Sequence, residues 1–150
     1  MNNGELTAKV ARKLAETFKG RADILFDHGN SATDDSNRVG VIRAWFGEKL
    51  SRKSLLADLD IAVVSPESND VLLFAEIEES SASPKTIFGD IFATLLAEHF
   101  TFRGKRQLNV AECAKFVVLF HGSPRDDLVQ YIDRKLRDLG NLAFEVANEL

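Results

Sequence analysis

Four carboxylates in two short stretches carry the chemistry that is easiest to read in this sequence. Asp58 and Asp60 flank Leu59, and Glu76 and Glu78 flank Ile77. They belong to two apolar runs, Leu59-Asp60-Ile61-Ala62-Val63-Val64 and Val71-Leu72-Leu73-Phe74-Ala75-Glu76-Ile77-Glu78, joined by Ser65-Pro66-Glu67-Ser68-Asn69-Asp70. Runs of this kind read as strands, and the link is too short for a parallel crossover, so an antiparallel hairpin is predicted. Side chains alternate across a strand, which puts both aspartates on one face of the first strand and both glutamates on one face of the second. With Asp60 opposite Glu76, the turn centres on Ser68, inside the link. The same register sets Asp58 opposite Glu78 and Val64 opposite Leu72, and a slip of one residue turns the glutamates to the other face.

Like charges set opposite each other destabilise a sheet, and carboxylates in one small site do not all stay ionised without a cation. Mg²⁺ meets that need, since it takes oxygen ligands and is commonly held by one or two carboxylates with water and phosphate. Lysine or arginine side chains also would, as would solvent, in which case Asp58, Glu78 and Glu79 are the polar end of an exposed hairpin. Leu72 and Phe74 share a face with Glu76 and place it at the margin of a covered sheet.

The elements around the hairpin follow from periodicity. Leu6, Val10, Leu14 and Phe18, with Ala11 and Ala15, form the stripe of an amphipathic helix ending at Gly20. Ala22 to His28 reads as a short strand, closed by Gly29-Asn30 and the polar run Ser31 to Asn37. Val39, Ile42, Phe46 and Leu50 fit a helical face, but Gly40 and Gly47 weaken it and a strand from Val39 to Phe46 fits as well. Ser83-Pro84 supplies an N-cap and a first-turn proline for a helix with a wide apolar arc of Ile87, Phe88, Ile91, Phe92, Leu95 and Leu96, expected to be heavily buried. Ala114 to Phe120 has the continuous apolar character of an interior strand. Ser123-Pro124 repeats the cap device ahead of Leu128, Ile132, Leu136 and Leu139. Gly140-Asn141 ends that helix, and Leu142 to Ala147 reads as an edge strand or a further helical turn. The order predicts an α/β fold, a mixed central sheet with helices on both faces.

At 150 residues the chain is the size of one domain, taken as 1–150, and is able to close a hydrophobic core. It has no apolar run of membrane-spanning length and its polar start lacks the regions of a signal peptide, so a cytoplasmic location with no membrane partner is expected. Cys113 is the single cysteine; an internal disulfide and a Cys-rich zinc site are excluded, and a small buried apolar role is expected. The net charge of −4 argues against a surface that coats nucleic acid indiscriminately. It leaves room for a local basic groove built from Arg52-Lys53 and Arg103-Gly104-Lys105-Arg106. His28, His99 and His121 lack zinc-ligand spacing, and Trp45 and Phe46, beside Val41 and Ile42, are expected in the core.

An aspartate opening one strand, Glu-x-(Lys) late in the next, and then helix, strand and helix resemble the PD-(D/E)xK, or restriction-endonuclease-like, nuclease superfamily. The matching residues are Asp60 in Ala57-Asp58-Leu59-Asp60-Ile61, and Glu76-Ile77-Glu78, and the likeness runs from Leu6 to about Leu139. The segment from Glu76 to Ser80, with Ser83-Pro84-Lys85 and Gly89-Asp90, also resembles a small uncharacterised prokaryotic family. The resemblance implies that Asp60 and Glu76 bind Mg²⁺ or Mn²⁺, and that a basic residue positions the water attacking a phosphodiester of DNA. Glu78 stands at the lysine position, as a carboxylate does in some active members, and Lys85 is the candidate replacement. A noncatalytic binding or scaffold protein on the same fold ranks second. Third is a minimal nucleotidyltransferase, using Asp58-Leu59-Asp60 as an Asp-x-Asp metal site with Phe46-Gly47 in place of the glycine-serine signature; Glu48 at the serine position would repel a triphosphate.

Overall fold

A computed structural model describes residues 3–27, 37–47, 49–79 and 83–121, together with Asp127, Gln130, Tyr131, Arg134 and Lys135. The first helix, α1 (Asn3–Thr17), lays Leu6, Val10 and Ala11 on Ile24, Phe26, Ile61, Val63, Ala75 and Ile77. Gly20, with φ +74°, turns the chain out of the helix, a conformation that costs glycine little. The strands are β1 (Asp23–Phe26), β2 (Ile42–Trp45), β3 (Leu55–Leu59), β4 (Ile61–Val64), β5 (Asp70–Glu79), β6 (His99–Phe102) and β7 (Arg106–His121), with α2 (Pro84–Leu96) between β5 and β6. They form one seven-stranded sheet ordered β1-β4-β5-β7-β6-β2-β3. Only β5 and β7 run parallel, so the sheet is mixed, as expected.

Asp60 alone separates β3 from β4 along the chain, yet the two strands lie in opposite parts of the strand order. One nearly continuous strand therefore serves both halves of the sheet, and the sheet bends so that its halves face each other. Leu25, Ala62, Val64 and Phe74 of one half share a core with Ile42, Ala44, Phe100 and Leu108 of the other, and the Phe74 and Phe100 rings stack with centroids 4.7 Å apart. The second strand to span both halves is β7. Between Val71↔Val110 and Leu73↔Lys115, two steps along β5 face five along β7, so the longer strand bulges outward there. Cys113 lies in that bulge and is exposed, contrary to the expected buried position.

The hairpin register agrees with the sequence reading at Ile61↔Ala75, Ala62↔Phe74 and Val63↔Leu73. A bulge then pairs Val64 with Val71 in place of the expected Leu72. Asp58 is a larger correction. It lies on β3 opposite Arg43, not opposite Glu78, because the chain leaves the hairpin at Asp60.

Of the two readings of Val39 to Leu50, the strand is the one that forms, over Ile42–Trp45, with Ile42 and Ala44 facing the shared core and Trp45 donating its indole N–H to Thr101 Oγ1 at 2.9 Å. Trp45 is buried as expected, whereas Phe46 is exposed. Ser83 caps α2, accepting from Thr86 N at 3.2 Å, and Pro84 opens the helix. Ile87, Ile91 and Thr94 are buried, but Phe92, Leu95 and Leu96 are exposed; the helix covers the sheet with one stripe and not with the whole arc. Asp127, Gln130, Tyr131, Arg134 and Lys135 are helical, and Tyr131 meets Phe88 edge-on at 6.1 Å. Ser123-Pro124, the apolar positions expected to carry that helix, and Leu142 to Ala147 lie outside the described residues. No helix among the described residues is long and apolar enough to cross a membrane.

Candidate carboxylate site

Three adjacent strands bring acidic residues into one row. Asp27 N donates to Asp60 O at 2.9 Å, just past the Phe26↔Ile61 pair, and one step beyond Ile61↔Ala75 Asp60 comes opposite Glu76. Paired residues point to the same face, so this row lies on the side of Leu25, Ala62 and Phe74, away from α1. Glu78, two residues on, shares that side. Asp90 reaches the group from α2: it acts on both Asp60 and Glu76, and its carboxyl hydrogen-bonds that of Glu78.

Glu76 is the most confined member, 7% exposed. Its Oε1 has no hydrogen-bond partner among the described residues, so the bond between the Glu76 and Asp60 carboxyls uses the other oxygen. Burial, followed by the charges of Asp60, Asp90 and Glu78, raises the Glu76 pKa well above its ordinary value. Asp60 accepts from Ile77 N at 2.9 Å through Oδ2. Burial raises its pKa too, while the bonds from Ile77 and Glu76 pull it back. The bond between the two carboxyls thus raises Glu76 and lowers Asp60. Burial likewise raises Asp90, against the lowering effect of its bond to Glu78.

A buried acceptor with nothing to accept from, beside a second carboxyl, fits a cation better than it fits another hydrogen bond. Asp60 and Glu76 are the residues that would hold it. Among the described residues, no three acidic, histidine or cysteine groups stand ready as a complete metal cage. Mg²⁺ does not require one, since water and phosphate usually complete its shell.

Of the residues singled out in the sequence, Asp60, Glu76 and Glu78 converge. Lys85 is exposed in the first turn of α2, with no ion pair to Asp60 or Glu76 among the described residues. Asp58 is exposed on β3 and held by Arg43 Nε at 3.1 Å, so it does not join the row that Asp60 forms with Glu76. Asp27 and Asp90 escaped the sequence reading as site residues. Asp90 had a signal, an acid three residues from Ile87 and beside Ile91 on the buried stripe; Asp27 becomes visible only once β4 is known to be the partner of β1. His99 is half-buried, His121 is exposed and His28 lies outside the described residues.

Asp58→Ala tests the separation of the two aspartates. An exposed ion pair contributes about 0–1 kcal/mol, so urea denaturation should show a change no larger than that, with any response to divalent cations intact. Loss of the cation response would return Asp58 to the site.

The chain matches no family model, no curated protein and no solved structure among known proteins.

Proposed function

We propose that this chain is a metal-dependent phosphodiester hydrolase acting on DNA, with Asp60 and Glu76 as ligands of Mg²⁺ or Mn²⁺. The observation that carries the proposal is the unpartnered Oε1 of buried Glu76 beside Asp60. The element order adds support: α1, the antiparallel β1-β4-β5, then α2 and a β7 parallel to β5 resemble the order expected from the sequence for such a nuclease. A divalent cation bound there would neutralise charge on a phosphate and make water more acidic.

The chain's own residues set the rest. Ile77 N fixes the Asp60 carboxylate, so its second oxygen faces the row with little freedom. Glu78 occupies the place of the superfamily lysine and shares a hydrogen bond with Asp90, and the ionised member of that pair is the group able to accept a proton from attacking water. Lys85 is a less direct candidate, given its exposure.

The test is cleavage of plasmid and linear DNA with Mn²⁺ or Mg²⁺. Expected are cleavage by the wild type, loss of at least about a hundredfold in Glu76→Gln and Asp60→Asn, and retention in Lys85→Ala. Tight DNA binding with no cleavage under any divalent cation would favour the noncatalytic reading, which the exposed Lys85 also favours.

A further inference from the structure

A second polar site lies on the opposite side of the bent sheet from the shared core. β6 and β7 turn about Arg103 and Gly104, both with positive φ, 53° and 65°. Beside that turn Leu50, His99, Thr101, Lys105 and Gln107 line a pocket of about 230 Å³. That is smaller than the roughly 300–1,000 Å³ of pockets that take whole drug-sized ligands. It suits one small charged group with some of its water.

The lining is rich in donors. Lys105 offers an ammonium and Gln107 an amide NH₂. Thr101 is oriented by a buried contact: the indole N–H of Trp45 can only donate, so at 2.9 Å it occupies a lone pair of Thr101 Oγ1 and leaves the hydroxyl hydrogen to point elsewhere. Among the described residues no carboxylate lines the pocket, and Glu98 and Asp58 have partners. Glu98 accepts from Gly47 N at 3.2 Å, and Asp58 is bound to Arg43.

The surrounding cations extend this character. Leu50 brings the 49–54 loop to the pocket, and that loop carries Lys49, Arg52 and Lys53, all exposed. Buried Ser54 ties the loop down, since its Oγ meets Lys49 O, Ser51 O and Ser51 N. The loops that carry the two basic stretches thus both reach the pocket, one through Leu50 and the other through Gly104 and Lys105, and the cations of the second divide the work. Arg103 bonds Val39 O and Arg106 bonds Asn69 Oδ1, both structural contacts, while Lys105 stays at the pocket.

We propose that this pocket binds a phosphate group of a nucleic-acid backbone, with Lys105, Gln107 and Thr101 as donors and the 49–54 loop meeting neighbouring phosphates. Several exposed cations around a single-group pocket fit a polyanion better than one free anion. That the polymer is nucleic acid rests on the reading of the carboxylate site; the pocket itself does not.

The experiment measures binding of fluorescein-labelled single-stranded and duplex DNA by anisotropy in EDTA, which removes any cation from the carboxylates, using wild type, Lys9→Glu, Lys105→Glu and the pair Arg52→Glu/Lys53→Glu. Lys9→Glu, the same charge change at an exposed position of α1, should bind like wild type, which separates this site from a general loss of positive charge. Lys105→Glu should weaken binding about tenfold and reduce the slope of log affinity against log salt by about one, and the loop pair should do at least as much. Equal melting temperatures would show that these exposed changes leave the fold intact. Wild-type affinity in Lys105→Glu overturns the proposal, as does absence of DNA binding by the wild type at low salt. Displacement of DNA by equimolar inorganic phosphate also overturns it, by assigning the pocket to a free anion.

Discussion

The metal-free protein is expected to lose melting temperature as pH rises above the ordinary glutamate range and through the raised folded value of Glu76, and millimolar Mn²⁺ should recover the loss. In the folded chain the Glu76 pKa stands well above its ordinary 4.5, chiefly through burial and then through Asp60, Asp90 and Glu78. Folded protein therefore keeps a proton that the unfolded chain has released. The stability tied to that proton is complete below the unfolded value and is lost as pH rises through the raised folded value. A cation at Glu76 and Asp60 replaces the proton and reverses the loss. At a hundred times its dissociation constant, a ligand of the folded state adds about 2.7 kcal/mol, or roughly 5–10 °C for a chain of this size.

Glu76→Gln should remove both responses without harming the fold. Its amide NH₂ still donates to Asp60, and it cannot ionise, so the variant should match wild type in acid and exceed it in mild base. Thermal unfolding followed by circular dichroism, scanned across pH with EDTA and with Mn²⁺, measures all of this. A wild type indifferent to Mn²⁺, together with a strongly destabilised Glu76→Gln at every pH, would falsify the metal reading and make Glu76 a structural acid.

Phe74→Ala should give the largest loss of stability, about 3–5 kcal/mol by urea denaturation. Phe74 is buried where the two halves of the sheet meet and stacks on Phe100 at 4.7 Å. Its removal takes apolar surface from both halves at once and leaves a void that neither can fill without moving the bend at Asp60. Phe100→Ala should cost a similar amount, and the double variant less than the two together, with a coupling of about 0.5–1.5 kcal/mol. Strictly additive losses would mean that the rings do not join the halves.

The sequence made the hairpin and its register legible because apolar runs, a short polar link and opposed acids all agreed on one pairing. α1 and the cap of α2 were legible for the same reason, local signals acting together. Asp58 was misplaced because strand alternation says nothing about where a strand changes partners: Leu59 and Ile61 look like neighbours in one strand, yet they belong to different halves. The β6–β7 hairpin was hidden by charge. His99-Phe100-Thr101-Phe102 alternates as a strand should, and Arg103-Gly104-Lys105 is the three-residue loop between Phe102 and Arg106, with Arg103 and Gly104 both at positive φ, but a cluster of cations reads equally as a solvated loop. Cys113 was misjudged because the bulge of β7 depends on the length of a distant strand, β5. Asp27 needed the β1–β4 pairing, which links residues far apart in the chain.

The strand shared across Asp60 also constrains how the chain assembles. The β4–β5 hairpin is local and is able to form early, but β3 finds its place only when β2 does, and β2 pairs with β6 from across α2. Trp45 and Thr101, joined by a buried hydrogen bond, are 56 positions apart. Pairings of such separation are closed late and at high entropic cost. Because β3 and β4 are one stretch of chain, an intermediate with only the β1-β4-β5 half formed must carry Leu55–Leu59 as an unsatisfied extension, its apolar face in water. The carboxylate row, by contrast, is carried by β1, β4 and β5, so it belongs to the half that is able to form first, and Asp90 joins it from α2.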